Sequence, residues 1–178
     1  MYTKWADDAC VSCPGGQKRD SVSNGCIACL PGQFALANNK KYTCDTTCSV
    51  GKYSGAGSAT CSACAAGKYN DKSGQSACIQ CAKGQYQSQK TRAGCIQCAK
   101  GRYNNLKAKT SSSDCLVCAA GQYQGAAGLS SCNSCELMGP LKYQSKDGQT
   151  SCDTCSDGLK PTSIFDACAC VEPCDKGK

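Results

Sequence analysis

Cysteine is the residue type through which this sequence could do chemistry: 21 of its 178 residues are Cys and none is His. Paired thiols can ligate a soft metal, cycle between thiol and disulfide, or lock into permanent cross-links. The pairs are Cys10/Cys13, Cys26/Cys29, Cys44/Cys48, Cys61/Cys64, Cys78/Cys81, Cys95/Cys98, Cys115/Cys118, Cys132/Cys135 and Cys152/Cys155. All are C-x-x-C except Cys44/Cys48, which holds one extra residue. Zinc is the first candidate, because successive C-x-x-C knuckles approach zinc-ribbon spacing. Against it, the doublets run on without grouping into fours, Cys44/Cys48 breaks the knuckle, and no imidazole is present. No metal or other cofactor is expected. Thioredoxin-type exchange needs a low-pKa Cys at a helix N-terminus in a βαβ setting, and no such setting is visible. Without His there is no Ser/His/Asp set. No phosphate loop is present and the carboxylates are scattered, so no catalytic residue is expected and an enzyme is not the reading. Permanent cross-linking remains.

That chemistry sets the compartment. Cysteine at about 12% of the chain persists as disulfide only in an oxidising place, so the expected location is extracellular, secreted or at the cell surface. The opening residues, MYTKWADDAC, contain no signal-peptide core, and no apolar run approaches the roughly 18–20 residues of a membrane span. The expectation is a mature protein or a segment of a longer one. Leu, Ile, Val and Phe number only 19, too few for a conventional apolar core. Cross-links must then help offset a backbone entropy of about 1–2 kcal/mol per residue. There is no N-x-Ser/Thr sequon, while 30 Ser and Thr residues leave O-linked sugar open.

The elements that position the cysteines follow from a period. First members of the doublets advance by 16 to 20 residues, mostly 17, and a further 16 leads from Cys152 to Cys168. Three residues after a doublet comes glycine, at Gly16, Gly32, Gly51, Gly67, Gly84, Gly101, Gly121 and Gly158. Five residues after it comes an aromatic, at Phe34, Tyr53, Tyr69, Tyr86, Tyr103 and Tyr123, with Tyr143 late in a stretched unit. A second glycine often precedes the next doublet by four, as at Gly57, Gly74, Gly128 and Gly148. These glycines read as turn positions. The unit is too short for a helix with its loops, so short strands and turns are expected. A 17-residue unit cannot bury a core alone and must lean on its neighbours. The predicted fold is a small disulfide-rich repeat solenoid, an elongated rod of about nine units with almost no helix. Residues 1–12 form an N-terminal segment, 13–168 the array, and 169–178 a C-terminal tail. The aromatics are read as an inter-repeat spine supplying much of the core. The alternative, a row of rings stacking on sugar or bases, needs them exposed.

C-x-x-G-x-Y followed by the next cysteine, as in Cys64-Ala-Ala-Gly67-Lys-Tyr69 to Cys78 and Cys81-Ala-Lys-Gly84-Gln-Tyr86 to Cys95, resembles the single-disulfide module of tumour necrosis factor receptors. It also resembles the related cysteine-rich repeats named after ephrin receptors. The resemblance covers Cys13 to Cys168. It lacks the alternation with a two-disulfide module usual in those receptors; uninterrupted runs are more similar to surface or filament proteins of protists and algae. The resemblance implies the bridges Cys13–Cys26, Cys29–Cys44, Cys48–Cys61, Cys64–Cys78, Cys81–Cys95, Cys98–Cys115, Cys118–Cys132, Cys135–Cys152 and Cys155–Cys168. Each would close a loop contributing about 3 kcal/mol in the loop-entropy account. Crossed pairing between successive doublets stays open as the rival, because spacing does not settle connectivity. Cys170–Cys174 is the remaining pair, and Cys10 is left unpaired or intermolecular.

Net charge is +7, and from Lys72 to Ser113 eight Lys or Arg stand with no Asp or Glu. The sharp reading is a site for acidic glycan or for an acidic segment of another copy; the bland one is a solvated face. Nucleic acid is not an expected partner. Tyr2 and Trp5 at one end, Ile164 and Phe165 near the other, are candidate end-to-end contacts, since a head-to-tail interface that does not close grows a filament. The function expected is a non-enzymatic structural rod, a stalk or end-to-end surface filament whose partners are copies of itself or other extracellular proteins. The alternative is a receptor or adhesion ectodomain binding protein or acidic glycan along its flank.

Overall fold

The computed structural model describes residues 13–20, 22, 25–36, 43–156 and 159–169. One turn, repeated, organises them. In Leu30-Pro31-Gly32-Gln33 the Gln33 N–H donates to the Leu30 carbonyl at 3.0 Å and Gly32 has φ +82°. Pro second and a positive-φ glycine third are the marks of a type II turn. The same bond joins Lys52 to Ser49 and Arg102 to Ala99. Each turn delivers the chain into a short strand, which in seven of the nine hairpins is two residues long and carries the aromatic. That strand pairs with one lying inside the next cysteine doublet: Gln33–Phe34 with Thr46–Thr47, Gln85–Tyr86 with Ile96–Gln97, and Arg102–Tyr103 with Leu116–Val117. Nine such two-stranded sheets occur among the described residues. Helix is confined there to two short 3-10 turns, Ser112–Asp114 and Cys135–Met138.

Disulfides join Cys13–Cys26, Cys29–Cys44, Cys48–Cys61, Cys64–Cys78, Cys81–Cys95, Cys98–Cys115, Cys118–Cys132, Cys135–Cys152 and Cys155–Cys168. These are the same nine pairs that the receptor-module resemblance implies, and they close consecutive loops that never overlap. Cys10, Cys170 and Cys174 lie outside the described residues.

The chain packs as two compact units: Met1–Cys64 with Asn70–Ile79 and Thr91–Ala93, and Ala65–Tyr69 with Gln80–Lys90 and Gly94–Lys178. Both use one hydrogen-bond scheme. In the first, the turn glycine donates its N–H to a carbonyl in the following repeat, Gly16 to Ala35, Gly32 to Ser54 and Gly51 to Asn70, at 2.7–2.8 Å. In the second, Gly67 donates to Gln87, Gly84 to Asn104, Gly101 to Gln124 and Gly121 to Gln144, again at 2.7–2.8 Å. A further set ties each repeat back to the first cysteine of the one before it. The N–H groups of Gly57, Gly74 and Thr91 donate to the carbonyls of Cys29, Cys48 and Cys64 in the first unit. Those of Ala108, Gly128 and Gly148 donate to Cys81, Cys98 and Cys118 in the second. No described repeat need hold its backbone polar groups alone, which is how two-residue strands survive.

The donor in that last set sits in the left-handed region: Gly57, Gly74, Gly128 and Gly148 have φ between +68° and +78°, but Thr91 and Ala108 adopt +60° and +57°. An L side chain there costs about 1–2 kcal/mol, and glycine's extra freedom when unfolded returns about 0.5–1 kcal/mol of any gain. Ala108→Gly is therefore expected to raise stability by up to about 1 kcal/mol. Denaturant midpoints of the two proteins check it; a lower midpoint for the variant would sink the strain argument.

Burial does not follow aliphatic content. The fully buried side chains include Cys48, Cys64, Cys81, Cys98, Cys118 and Cys135, whereas Ile27, Ile79, Ile96 and Leu116 are exposed. Sulfur, not aliphatic carbon, fills the interior.

Candidate functional site

One recurring position builds the joint between repeats. After Phe34 the residue is the buried Ala35; after the six tyrosines it is Ser54, Asn70, Gln87, Asn104, Gln124 or Gln144, and all six are buried, Asn70 fully and Asn104 to 1% exposure. Alternation along a strand explains this: if the ring points to one face, its neighbour points to the other, into the stack.

Asn104 shows what the position does. Its backbone carbonyl accepts from Gly84 N–H at 2.7 Å, and its backbone N–H donates to the Leu129 carbonyl at 3.3 Å. Its side-chain Nδ2 donates to the Gln85 carbonyl at 3.1 Å, and Oδ1 accepts from Leu106 N–H at 2.9 Å. One buried residue thus clasps the repeat before it and the repeat after it, with every polar group satisfied. Ser54 reaches back in the same way to the Gln33 carbonyl at 2.9 Å. The longer glutamines instead reach forward over their own loops, Gln87 to Gly94, Gln124 to Ser131 and Gln144 to Ser151, at 2.6–3.0 Å. Asn70 does both, donating to Lys52 and Ala77, and its Oδ1 has no partner.

Removing one partner of a buried hydrogen bond leaves the other desolvated, at about 1–3 kcal/mol. Asn104→Leu, similar in size, is expected to cost about 1–3 kcal/mol, and Asn104→Gln less, because glutamine serves three other clasps. Equilibrium denaturation of both variants checks the order; equal losses would mean that volume, not hydrogen bonding, matters here.

The sequence reading makes the aromatics an inter-repeat spine; the more deeply buried side chains are those of their neighbours. Phe34, Tyr53, Tyr69, Tyr86, Tyr103, Tyr123 and Tyr143 are all half-buried. Their cross-strand partners include Ile96 for Tyr86, Leu116 for Tyr103 and Asp153 for Tyr143. The missed clasp had a sequence signal: in six consecutive repeats the aromatic is followed by Ser, Asn or Gln.

Of the candidate end contacts, Tyr2 and Trp5 lie outside the described residues. Ile164 is 65% exposed. Phe165 is half-buried and adopts φ +59°, and its carbonyl accepts from Gln144 N–H at 2.8 Å. Its backbone serves the Gln144 clasp.

In the basic stretch, Lys109 Nζ lies 3.0 Å from Asp114 Oδ1. The Lys109 hydrogen bond, then the Ser111 N–H, holds the Asp114 carboxyl below its ordinary pKa. A lowered carboxyl favours the fold at neutral pH, and that contribution fades as acidification carries the pH down through the lowered value. Arg102 Nη1 donates to the Cys115 carbonyl at 3.0 Å. Among the described residues no group of three or more His, Cys, Asp and Glu side chains could hold a metal ion. No described helix is long and apolar enough to cross a membrane.

A family model described as tyrosine-protein kinase ephrin type A/B receptor-like matches residues 51–91 and again 71–115. The two matches overlap in tandem, as a short repeat requires. A search among curated proteins finds no match. The tandem matches and the nine disulfides show an array of cysteine-rich repeats, and disulfides in that number belong to an oxidising, extracellular setting.

Proposed function

We propose that the chain is a non-enzymatic mechanical element of the cell exterior, a stalk or an end-to-end surface filament. The observation that supports this best is the clasp: in each unit the repeats are tied to their neighbours by backbone bonds and closed by a disulfide apiece. Such a scheme resists extension locally and carries load without a ligand. The exposed Ile164 side chain supplies an apolar contact for another copy. Sedimentation and electron microscopy of the purified, oxidised protein test the reading. Concentration-dependent assembly, reduced by Trp5→Ala combined with Ile164→Ala, is the expected result. A chain that stays monomeric at high concentration would overturn it.

The family match favours a second reading, a receptor or adhesion ectodomain that binds along its flank. That reading expects a monomer with a ligand.

A further inference from the structure

Two hollows lie at equivalent positions in different repeats, one within each compact unit. The first, about 310 Å³, is lined by Phe34, Lys52, Thr46, Thr47, Ser49 and Thr60. In the second, about 360 Å³, Tyr86 and Arg102 stand at the equivalent positions, and Gln97, Ser112 and Ser113 also line it. The recipe is shared: the aromatic of one repeat, the doublet of the same hairpin, and the cation just before the next aromatic. Where that last residue is neutral, as at Gln85 and Gln122, the cation is missing.

We infer that these hollows bind an anionic saccharide, a pyranose carrying sulfate or carboxylate. A half-exposed ring offers a flat apolar face to the C–H side of a sugar. The hydroxyls and the Gln97 amide can exchange hydrogen bonds with sugar hydroxyls. The cation meets the acidic substituent, which a neutral sugar lacks. Arg102 is prepared for this: its bond to the Cys115 carbonyl at 3.0 Å anchors one nitrogen, leaving other N–H groups of a planar fork suited to an oxyanion. The volumes sit at the small end of the ligand-pocket range, suited to a sugar residue or two. Charge around the second hollow favours an anion. No acid occurs from Lys72 to Ser113, and Asp114 beside it is engaged by Lys109 and by the N–H groups of Thr110 and Ser111. The inference rests on the extracellular reading and deepens the flank-binding alternative; it is independent of filament assembly.

The test uses the oxidised full chain, titrated with a defined sulfated hexasaccharide, the same hexasaccharide without sulfate, and inorganic sulfate. Expected are NMR shifts at the rings of Tyr86 and Phe34 with the sulfated sugar, and binding at least about tenfold weaker with either other probe. Arg102→Gln, a residue native at the equivalent position elsewhere, should weaken binding at the Tyr86 hollow about tenfold. Lys146→Gln, away from both hollows, should not. The inference fails if sulfate alone binds as well, if the rings do not respond, or if Lys146→Gln loses as much as Arg102→Gln. Sedimentation of the same samples separates failure of the site from failure of the filament reading.

Discussion

Full reduction is expected to unfold this protein. The nine loops are consecutive and span sequence separations of 13 to 17 residues, so each bridge constrains a different stretch of the unfolded chain. At about 3 kcal/mol per loop, their joint contribution exceeds the net stability of an ordinary domain, about 5–15 kcal/mol, with no aliphatic core among the described residues to replace it. The sulfurs are also the interior: Cys48, Cys64, Cys81 and Cys98 are fully buried. The check is the dispersion of the proton NMR spectrum before and after complete reduction at neutral pH. Collapse to random-coil shifts is expected; a spectrum that stays dispersed would show that the hydrogen-bonded clasps suffice.

Gly84→Ala should be among the most damaging single substitutions. Gly84 has φ +78°, and a Cβ built there would run into the backbone carbonyl of Gly128, in the next-but-one repeat. The conformational penalty is about 1–2 kcal/mol and forced overpacking adds about 1–3 kcal/mol, for a total of about 2–5 kcal/mol. Backbone, unlike a flexible side chain, cannot swing aside. Gly94→Ala is the control, because a Cβ there meets nothing within 4 Å, and it should fall within about 0.5 kcal/mol of the parent. The loss should be local, since repeats depend on their neighbours. Hydrogen exchange should quicken at the amides of Gly84, Asn104 and Gly128 while that of Gly32 stays protected. Equal effects of the two glycine variants would refute the close approach.

Much of this architecture is legible in the sequence. The spacing of Cys and Gly predicts turns at Gly32, Gly51 and Gly84, and positive φ is found at each. The receptor-module resemblance implies the nine bridges, although spacing left crossed pairing open. Less legible is the interior. Hydrophobicity points to the aromatics, yet the buried side chains are mostly cysteines and, in six repeats, the polar residue after the tyrosine. Asn104 is buried because the stack leaves carbonyls on the repeat before and N–H groups on its own turn unpaired, and a short amide satisfies both. A scale that ranks amides as surface residues cannot see this. Thr91 and Ala108 teach the same lesson: they stand where other repeats have glycine, and the fold holds them at positive φ regardless.

The sequence by itself therefore determines the period, the turns and the cross-linking chemistry, because those depend on local backbone freedom and on residue type. Tertiary structure alone decides that the Gly84 turn meets the carbonyl of Gly128, and that an amide is buried at the joint. Both depend on how far one repeat rotates and advances onto the next. That geometry is set by hydrogen bonds that join one repeat to the next, and no single period encodes it.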